Sequence, residues 1–192
     1  ALAGDLAVVS SQIGAVYVFR REQTAWVFAA KLTGLGGVSS DVSASSVAIH
    51  GNRVLVGARF ETNSGLVSAG AAYVFRREAM DWVEEARITA SDASAYDFFG
   101  TSVSLHSEVA LIGAYGHDVA GVYAGSAYVF RRDGTVWVQD AKLVPDDAAF
   151  FDQFGFSVSL GADLAVVGAG WDGPGTDHFW GSAYVFRKEA AG

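Results

Sequence analysis

Short apolar runs, separated by glycine, serine and charged residues, recur along the whole chain. None shows the 3.6-residue spacing of an amphipathic helix, and each is rich in Val, Tyr, Phe or Ile, which favours β-strands. One run is nearly identical in four places, and its tyrosines are 56, 55 and 56 residues apart. The chain therefore repeats one β-structured unit of about 55 residues. The four copies are VYVFRR at 16–21, AYVFRR at 72–77 and at 127–132, and AYVFRK at 183–188.

Each unit is predicted to contain four short strands, here named A to D in chain order. In the third and fourth units they are typified by SVSL (157–160), ALIGA (110–114), AYVFRR (127–132) and WVQDAKL (137–143). Strands B and C are almost continuously apolar, which predicts that both faces of the sheet are covered. Strand D carries charge on both faces, which is typical of an outer edge strand. In the second unit, strict alternation places Trp82, Glu84, Ala86 and Ile88 on one face and Val83, Glu85 and Arg87 on the other.

A four-stranded antiparallel sheet with covered faces, repeated every 55 or 56 residues, predicts an all-β chain folded as a β-propeller. We expect a single domain over residues 1–192, with repeats at about 1–33, 34–89, 90–144 and 145–192. Residues 1–2 align with the end of a strand A, and no strand D follows the last strand C. The prediction is therefore fourteen strands with incomplete first and last blades. Two interpretations stay open: a piece of a longer propeller, or edges completed by another chain.

Two dipeptides recur in register within these units. Phe-Gly begins strand A at 99–100 and 154–155, and Gly-Ala ends strand B at 57–58, 113–114 and 168–169. In this order they resemble the FG-GAP repeat of integrin α-subunit propellers and of many bacterial extracellular proteins. The resemblance implies that A–B and C–D turns lie on one face of the propeller. It places the B–C and D–A loops on the opposite, ligand-binding face, and it implies an extracellular or cell-surface protein.

The chain departs from that family pattern in three respects. The proline of GAP is replaced by Arg59, Tyr115 and Gly170, and Ala44-Ser45 stands where the second repeat should have Phe-Gly. The A–B turns are too short to hold the calcium loop that integrin-type repeats often carry there. Calcium binding through that motif is therefore not expected.

Composition excludes several classes of function. The formal net charge of −8 disfavours nucleic acid and anionic membranes as partners. The absence of cysteine excludes disulfides and thiolate metal sites. No apolar run approaches the roughly 18 residues of a membrane span, and the sequence itself contains no charged-then-apolar signal peptide.

The long B–C loops, at 59–70, 115–125 and 170–181, differ from one another on an otherwise constant scaffold, which is typical of a binding face. Their aromatic rings beside carboxylates suit a protein or carbohydrate ligand. The alternative is that these rings only cap the propeller. Trp171 and Trp180 are the strongest candidates, because their glycine-rich loop has least structural need of large side chains. The full candidate set is Phe60, Tyr115, His117, Asp118, Trp171, Asp172, His178, Phe179 and Trp180.

The D–A loops contain two pairs of aspartates at the same spacing, Asp92 with Asp97 and Asp147 with Asp152. Carboxylates five apart in a loop could bind calcium together with carbonyl groups and water. The favoured interpretation is that they accept backbone N–H bonds and fix the turn, so no cofactor is expected. The paired arginines that end strand C are expected to pair with Glu22, Glu78 and Asp133.

No motif indicates catalysis. His50 and His106 occupy the same repeat position and are interpreted as structural, and no G-x-S-x-G, HExxH or phosphate-binding loop occurs. The leading hypothesis is a non-enzymatic extracellular recognition or adhesion module that binds through the B–C and D–A loop face. The alternative is a structural subunit whose open edge blades self-associate into a larger assembly. An enzyme such as a polysaccharide lyase is a third hypothesis, which would need an acid/base pair in the long loops.

Overall fold

A computed structural model describes residues 1–11, 14–32, 44–119, 121–173 and 180–188. All regular secondary structure in these ranges is β, and no helix there is long and apolar enough to cross a membrane. The fifteen strands are β1 (Leu2–Ala3), β2 (Leu6–Ser10), β3 (Val16–Glu22), β4 (Ala25–Leu32), β5 (Ser46–His50), β6 (Arg53–Ala58), β7 (Ala71–Glu78), β8 (Asp81–Ile88), β9 (Ser102–His106), β10 (Val109–Ala114), β11 (Ser126–Asp133), β12 (Val136–Leu143), β13 (Phe154–Leu160), β14 (Leu164–Ala169) and β15 (Ser182–Arg187).

The strands form four antiparallel meander sheets, which confirms the predicted blades. Blade 1 is β1–β4, blade 2 is β5–β8, blade 3 is β9–β12, and blade 4 is the three-stranded sheet β13–β15. The expectation of fourteen strands was one short, because two residues of strand A persist as β1 and pair with β2. The blades do not close into a ring. The outward faces of blades 1 and 4 expose Val9 and Val185, whose counterparts Val56 and Val74 in blade 2 are fully buried.

The hydrophobic core lies between successive blades rather than within any one of them. Val8, Val16 and Val18 of blade 1 pack against Val54, Val56 and Tyr73 of blade 2. Equivalent clusters join blade 2 to blade 3 and blade 3 to blade 4. The sheets of blades 2 and 3 therefore each have one face packed on the blade before and one on the blade after, whereas blades 1 and 4, in the described part of the chain, are covered on one face only. This explains why strands B and C read as continuous apolar runs.

The two recurring dipeptides meet at these interfaces. The backbone of Gly100, at φ +89°, passes so close to Gly57 of the preceding blade that a Cβ on Gly57 would overlap the Gly100 carbonyl. Ser46 Oγ donates to that same carbonyl oxygen at 2.9 Å. Gly113 and Gly155 repeat the arrangement between blades 3 and 4. Glycine is required here because two backbones approach without room for a side chain.

The outer strands of blades 1 to 3 each contain a β-bulge, which corrects the predicted alternation in strand D. In blade 2 the register with β7 shifts, so that Phe75 faces Glu84 and Val74 faces Ala86, leaving Glu85 as the extra residue. Trp82 consequently packs on the blade 1–2 core, whereas Ile88 packs on the blade 2–3 core. These two residues do not share a face, because an inserted residue reverses the alternation beyond it.

The bulge directs Glu85 into the interface between blades 2 and 3; such an interface between successive blades is here called a seam. Its carboxylate accepts hydrogen bonds from Arg132 Nε at 2.7 Å, from Trp137 Nε1 at 3.1 Å and from Arg53 Nε at 3.1 Å. Arg53 and Arg132 also both pair with Glu108. The carboxylates of Glu85 and Glu108 thus alternate with the guanidinium groups of Arg53 and Arg132 between blades 2 and 3, and Arg76 Nε also lies 3.3 Å from Glu85. Because hydrogen bonds from cations satisfy Glu85, its burial is tolerated.

The short turns lie at the other end of the blades from the long loops. There Arg20 pairs with Glu22 and Arg76 with Glu78, as expected from the sequence. Arg131 instead lies 3.8 Å from Asp140, the bulge residue of β12, rather than pairing with Asp133. The rings of His50 and His106 meet between blades 2 and 3 with centroids 4.7 Å apart and planes tilted by 56°. These two histidines thus contact each other across the blade seam, at the same repeat position.

Candidate functional site

The B–C loop of one blade and the D–A loop that follows it are joined by backbone hydrogen bonds. Tyr96 N donates to Val67 O at 2.8 Å, and Phe98 N donates to Ser68 O at 3.0 Å. Tyr96 and Phe98 both have positive φ, 67° and 56°, a conformation that is uncommon for bulky side chains. The next repeat uses the same pattern at Phe151 and Gln153. The scaffold therefore fixes these loops in a single arrangement on one face of the protein.

Aromatic rings from these loops contact one another in an unbroken series. Phe98 stacks on Tyr115 with centroids 5.1 Å apart and planes 9° from parallel, and Tyr115 lies 6.3 Å from Tyr123. Tyr115 also meets the ring of Phe156 edge-on at 5.8 Å. We call this set the aromatic surface. Its members are Phe60, Tyr96, Phe98, Tyr115, Tyr123, Phe150, Phe151 and Phe156.

One guanidinium group lies within the aromatic surface. Arg59 is centred 4.5 Å from the Phe60 ring, within the range of a cation–π contact. Its Nε is buried and has no hydrogen-bond acceptor among the described residues. Burial raises the pKa of Tyr115, against the opposing effect of nearby Arg59. The surface is thus apolar with a cation at Arg59, and the raised pKa keeps the Tyr115 hydroxyl neutral at physiological pH.

The structure brings only part of the predicted ligand-binding set into this surface. Phe60 and Tyr115 belong to it. Trp171 and Trp180 are exposed, and both make contacts with other residues. His178 and Phe179 lie outside the described residues. The role assigned to these side chains stays a prediction.

His117 is buried in a polar cluster rather than presented at the surface. Its Nδ1 lies 3.0 Å from Asp97 Oδ2, and its Nε2 lies 2.8 Å from Lys142 Nζ. Lys142 in turn binds Asp92 at 2.6 Å. Burial acts to raise the pKa of Asp92, but hydrogen bonds from Lys142 and Tyr128 outweigh this and lower it. The cluster ties the B–C loop, the D–A loop and strand D of blade 3 together.

Most of the remaining candidate aspartates accept hydrogen bonds from backbone N–H groups. Asp118 Oδ1 accepts the N–H of Tyr123 at 2.9 Å. Asp97 accepts the N–H of Ser94, and Asp152 accepts that of Ala149, each at 2.6 Å. This geometry matches the turn-fixing role expected for both aspartates of each pair only at Asp97 and Asp152. The first aspartates bind side chains instead, Asp92 those of Tyr128 and Lys142, and Asp147 that of Tyr184. Within the described ranges, no group of three or more metal-ligating side chains forms a metal site.

Calcium is expected to leave the thermal stability unchanged. A cation that binds only the folded state raises the melting temperature as its concentration increases. Because Asp97 and Asp152 are committed to backbone donors, we expect excess calcium or a chelator to shift the melting temperature by less than about 1 °C. Differential scanning fluorimetry measures this. A rise that grows with calcium concentration and disappears in Asp147→Asn would contradict the expectation.

Sequence reasoning missed the part of the aromatic surface contributed by the D–A loops. Tyr96, Phe98, Phe150 and Phe151 lie there, and Phe156 lies in β13 just beyond Phe-Gly. The signal was present, since both D–A loops place two aromatics within the four residues before Phe-Gly, in SAYDFFG and AAFFDQFG. Only the loop pairing shows that these rings reach those of the B–C loops.

Comparison with known proteins gives a family and a fold. The sequence model described as "FG-GAP repeat" matches residues 26–75, 82–130 and 137–186, one match in each of three successive repeats. No curated protein matches the chain. Among solved structures, the chain resembles one in a complex of S. cerevisiae Dbp5 with Nup159, Gle1, IP6 and ADP. The TM-score is 0.50 at 10% identity, over 97% of this chain and 43% of that chain. At this identity the likeness concerns the fold alone.

Proposed function

This chain belongs to the FG-GAP repeat family, and from that premise we propose that it is a non-enzymatic extracellular recognition module that binds a protein partner through the aromatic surface. FG-GAP repeats are generally found in extracellular adhesion and recognition modules, and the family is typically non-enzymatic. The proposal assigns the binding role to a specific set of side chains within this general class.

One observation carries the proposal: a continuous set of aromatic rings, several of them solvent-exposed, held on rigid loops at one end of the blades. Phe60, Tyr96, Phe150 and Phe156 are all exposed large hydrophobic residues. Adjacent exposed aromatics on a fixed scaffold are typical of an interaction site. Rings that served only to cap the blades would be buried, as Phe99 and Phe154 are.

The composition of the surface favours a protein partner. Protein interfaces are enriched in Tyr, Phe and Arg and depleted of Lys, Glu and Asp at their centres. Arg59 brings a guanidinium group against the Phe60 ring, and aromatic and arginine side chains are the commonest hot spots. The backbone bonds between loops reduce the conformational entropy lost on binding.

The test is a triple substitution, Phe60→Ser with Phe150→Ser and Phe156→Ser, assayed against a panel of purified extracellular proteins and a glycan array. We expect the unmodified chain to bind at least one protein, and the variant to bind it at least about 30-fold more weakly, as for loss of interface hot spots. Surface plasmon resonance gives both affinities.

A matched control separates binding from loss of fold. Met80, Val136 and Val138 are exposed by 44–68%, close to the 44–63% of the three test residues, but they lie on or beside outer strands. Their triple serine variant is expected to bind as the unmodified chain does. Binding to glycans alone would contradict a protein partner, and equal losses in both variants would contradict the assignment to the aromatic surface.

A further inference from the structure

The seam between blades 1 and 2 contains a cavity of about 250 Å³. It lies beside β4 and β8, the outer strands of the two blades, and Met80 in the turn before β8 forms part of its rim. The cavity is therefore at the short-turn end of the blades, opposite to the aromatic surface. Both outer strands belong to four-stranded sheets, so the cavity is formed by complete blades.

The corresponding place in the seam between blades 2 and 3 is filled by a carboxylate. Glu85, the bulge residue of β8, points into that seam and accepts hydrogen bonds there. The register of β3 with β4 shifts at the same point, and the bulge residue of β4 is Ala29. Ala29 lines the cavity. A methyl group thus stands where the repeat would place a carboxylate.

The donors to that carboxylate are retained around the cavity. Arg77 lines the cavity and occupies the repeat position of Arg132, which donates to Glu85 at 2.7 Å. Trp82 also lines it and occupies the position of Trp137, whose indole N–H donates to Glu85 at 3.1 Å. The seam between blades 1 and 2 therefore keeps the cation and the indole but not their acceptor.

Neither retained donor has a carboxylate partner within the protein. Arg77 Nε donates to the backbone carbonyl of Ala79 at 3.2 Å, and no described aspartate or glutamate pairs with its guanidinium group. No acceptor among the described residues receives the indole N–H of Trp82. Of the described residues that line the cavity, none is acidic. The site thus has a cation and a neutral donor available for an anion.

A second arginine at the cavity shows the same change. Arg20 pairs with Glu22. Its counterpart Arg76 pairs with Glu78 and also lies 3.3 Å from Glu85. Pairing with the neighbouring glutamate therefore does not prevent this arginine from meeting a second carboxylate in the seam.

The remaining walls of the cavity are apolar. Leu6 stands at the repeat position of Arg53, and Phe28 stands at that of Glu84. The cavity is smaller than the roughly 300–1,000 Å³ of pockets for drug-sized ligands. Its size and walls suit a single ring or a short alkyl chain joined to the anionic group.

We propose that this cavity binds a small apolar carboxylic acid. Its carboxylate, ionised at neutral pH, accepts hydrogen bonds from Arg77 and from the Trp82 indole, as Glu85 does from their counterparts in the next seam. Its apolar group lies against Leu6 and Phe28. The inference goes beyond the proposed recognition function and does not depend on the aromatic surface.

The experiment uses the full chain with phenylacetate, and with phenylacetamide as a neutral probe of nearly the same shape. Binding is followed by the Trp82 indole N–H signal in proton–nitrogen NMR spectra, which is identified by its loss in Trp82→Phe. We expect saturable binding of phenylacetate, at least about tenfold tighter than that of phenylacetamide, as for charge-assisted hydrogen bonds. Equal affinity for the two probes, or no saturable binding of phenylacetate up to about 10 mM, overturns the proposal.

Substitutions assign the binding to this cavity. Arg77→Gln should weaken phenylacetate binding at least about tenfold. Arg21→Gln, the same change at the equivalent position of blade 1, should not weaken it, because Arg21 does not line the cavity. Ala29→Glu supplies an internal carboxylate and should abolish binding, with a melting curve to verify that the variant folds. Unchanged affinity in folded Ala29→Glu overturns the proposal.

A further probe distinguishes two sources of the same chemistry, a small acid and the carboxyl terminus of a polypeptide. The peptide acetyl-Gly-Gly-Phe with a free carboxylate is expected to bind more weakly than phenylacetate, because the cavity is small. Tighter binding of the peptide would overturn the small acid as the occupant. The comparison of probes uses the unmodified protein, so it decides the matter even where a substitution impairs folding.

Discussion

Replacing Glu85 by alanine is expected to lower the free energy of unfolding by about 3 kcal/mol, because removing one partner of a buried ion pair leaves charges uncompensated. The side chain of Glu85 is only 7% exposed and accepts hydrogen bonds from Arg53, Arg132 and Trp137. Its loss leaves the indole N–H of Trp137 without this acceptor in the seam between blades 2 and 3. Urea denaturation followed by tryptophan fluorescence measures the change.

Asp140 provides the matched control, since it is the bulge residue of β12 as Glu85 is of β8. It is 51% exposed and lies 3.8 Å from its partner Arg131. Asp140→Ala should therefore cost less than about 1 kcal/mol, as is usual for exposed pairs. Equal losses at the two positions would show that the carboxylate network does not stabilise the seam.

The contribution of Glu85 also has a defined pH dependence. Burial acts to raise the pKa of Glu85, but hydrogen bonds from Arg132, Trp137 and Arg53 outweigh it and lower the pKa. A depressed folded-state pKa stabilises the protein above the unfolded value of about 4.3 and ceases to do so as the pH falls through the folded value. The stability difference between the unmodified chain and Glu85→Gln should therefore shrink below about pH 4.

The second large effect is expected from adding one methyl group at Gly113. A Cβ there would overlap the carbonyl oxygen of Gly155 in the next blade and lie 2.9 Å from its carbonyl carbon. Neither backbone can move away without opening the seam, so Gly113→Ala should destabilise the fold by about 3 kcal/mol, the upper range for overpacking. Chemical denaturation measures the loss, and circular dichroism verifies that the variant folds.

Gly168 ends strand B of blade 4 as Gly113 does in blade 3, and it serves as the control. The nearest atom to a Cβ at Gly168 is the rotatable hydroxyl of Ser157, and among the described residues no backbone of another blade lies within 3.8 Å of that Cβ. Gly168→Ala should therefore change the stability by less than about 1 kcal/mol, since alanine also restricts the unfolded chain. A large loss at Gly168 would mean that glycine is needed for strand conformation instead.

The architecture could be predicted because the same pattern of strands recurs four times in the sequence. The tyrosines of β3, β7, β11 and β15 occur at a nearly constant interval, and the continuous apolar runs before them indicated sheets covered on both faces. Repetition averages out local ambiguity. A single copy of AYVFRR would indicate only a strand.

Features set by contacts across blades could not be predicted in the same way. WVEEARI contains no glycine or other sign of a bulge, so alternation assigned Glu85 to the wrong neighbours. Arg131 pairs with Asp140 instead of the expected Asp133 because the bulge in β12 brings Asp140 towards it. His117 was predicted at the binding face, but Lys142, 25 residues away, holds it inside blade 3.

The aromatic surface was anticipated only in the half that the B–C loops supply. Phe60 and Tyr115 were named from the sequence, whereas Phe98 and Phe156 were not. The D–A loops were searched for carboxylates, and their aromatics stand next to a Phe-Gly motif whose own Phe is core. Distinguishing Phe98, on the surface, from Phe99, in the core, requires the left-handed backbone turn at Phe98.

The glycines at the interfaces between blades also set the order in which these interfaces can form during synthesis. Gly57 can form its backbone contact only after Gly100 has been added to the growing chain. The contact of Gly113 likewise forms only after Gly155 has been added. Each blade is thus sealed by residues synthesised about one repeat later, and stability in such arrays builds through nearest neighbours. We therefore expect a ribosome-bound chain to complete its blade interfaces in order from the amino terminus, each one about one repeat behind synthesis. The newest blade is always the one with an open seam.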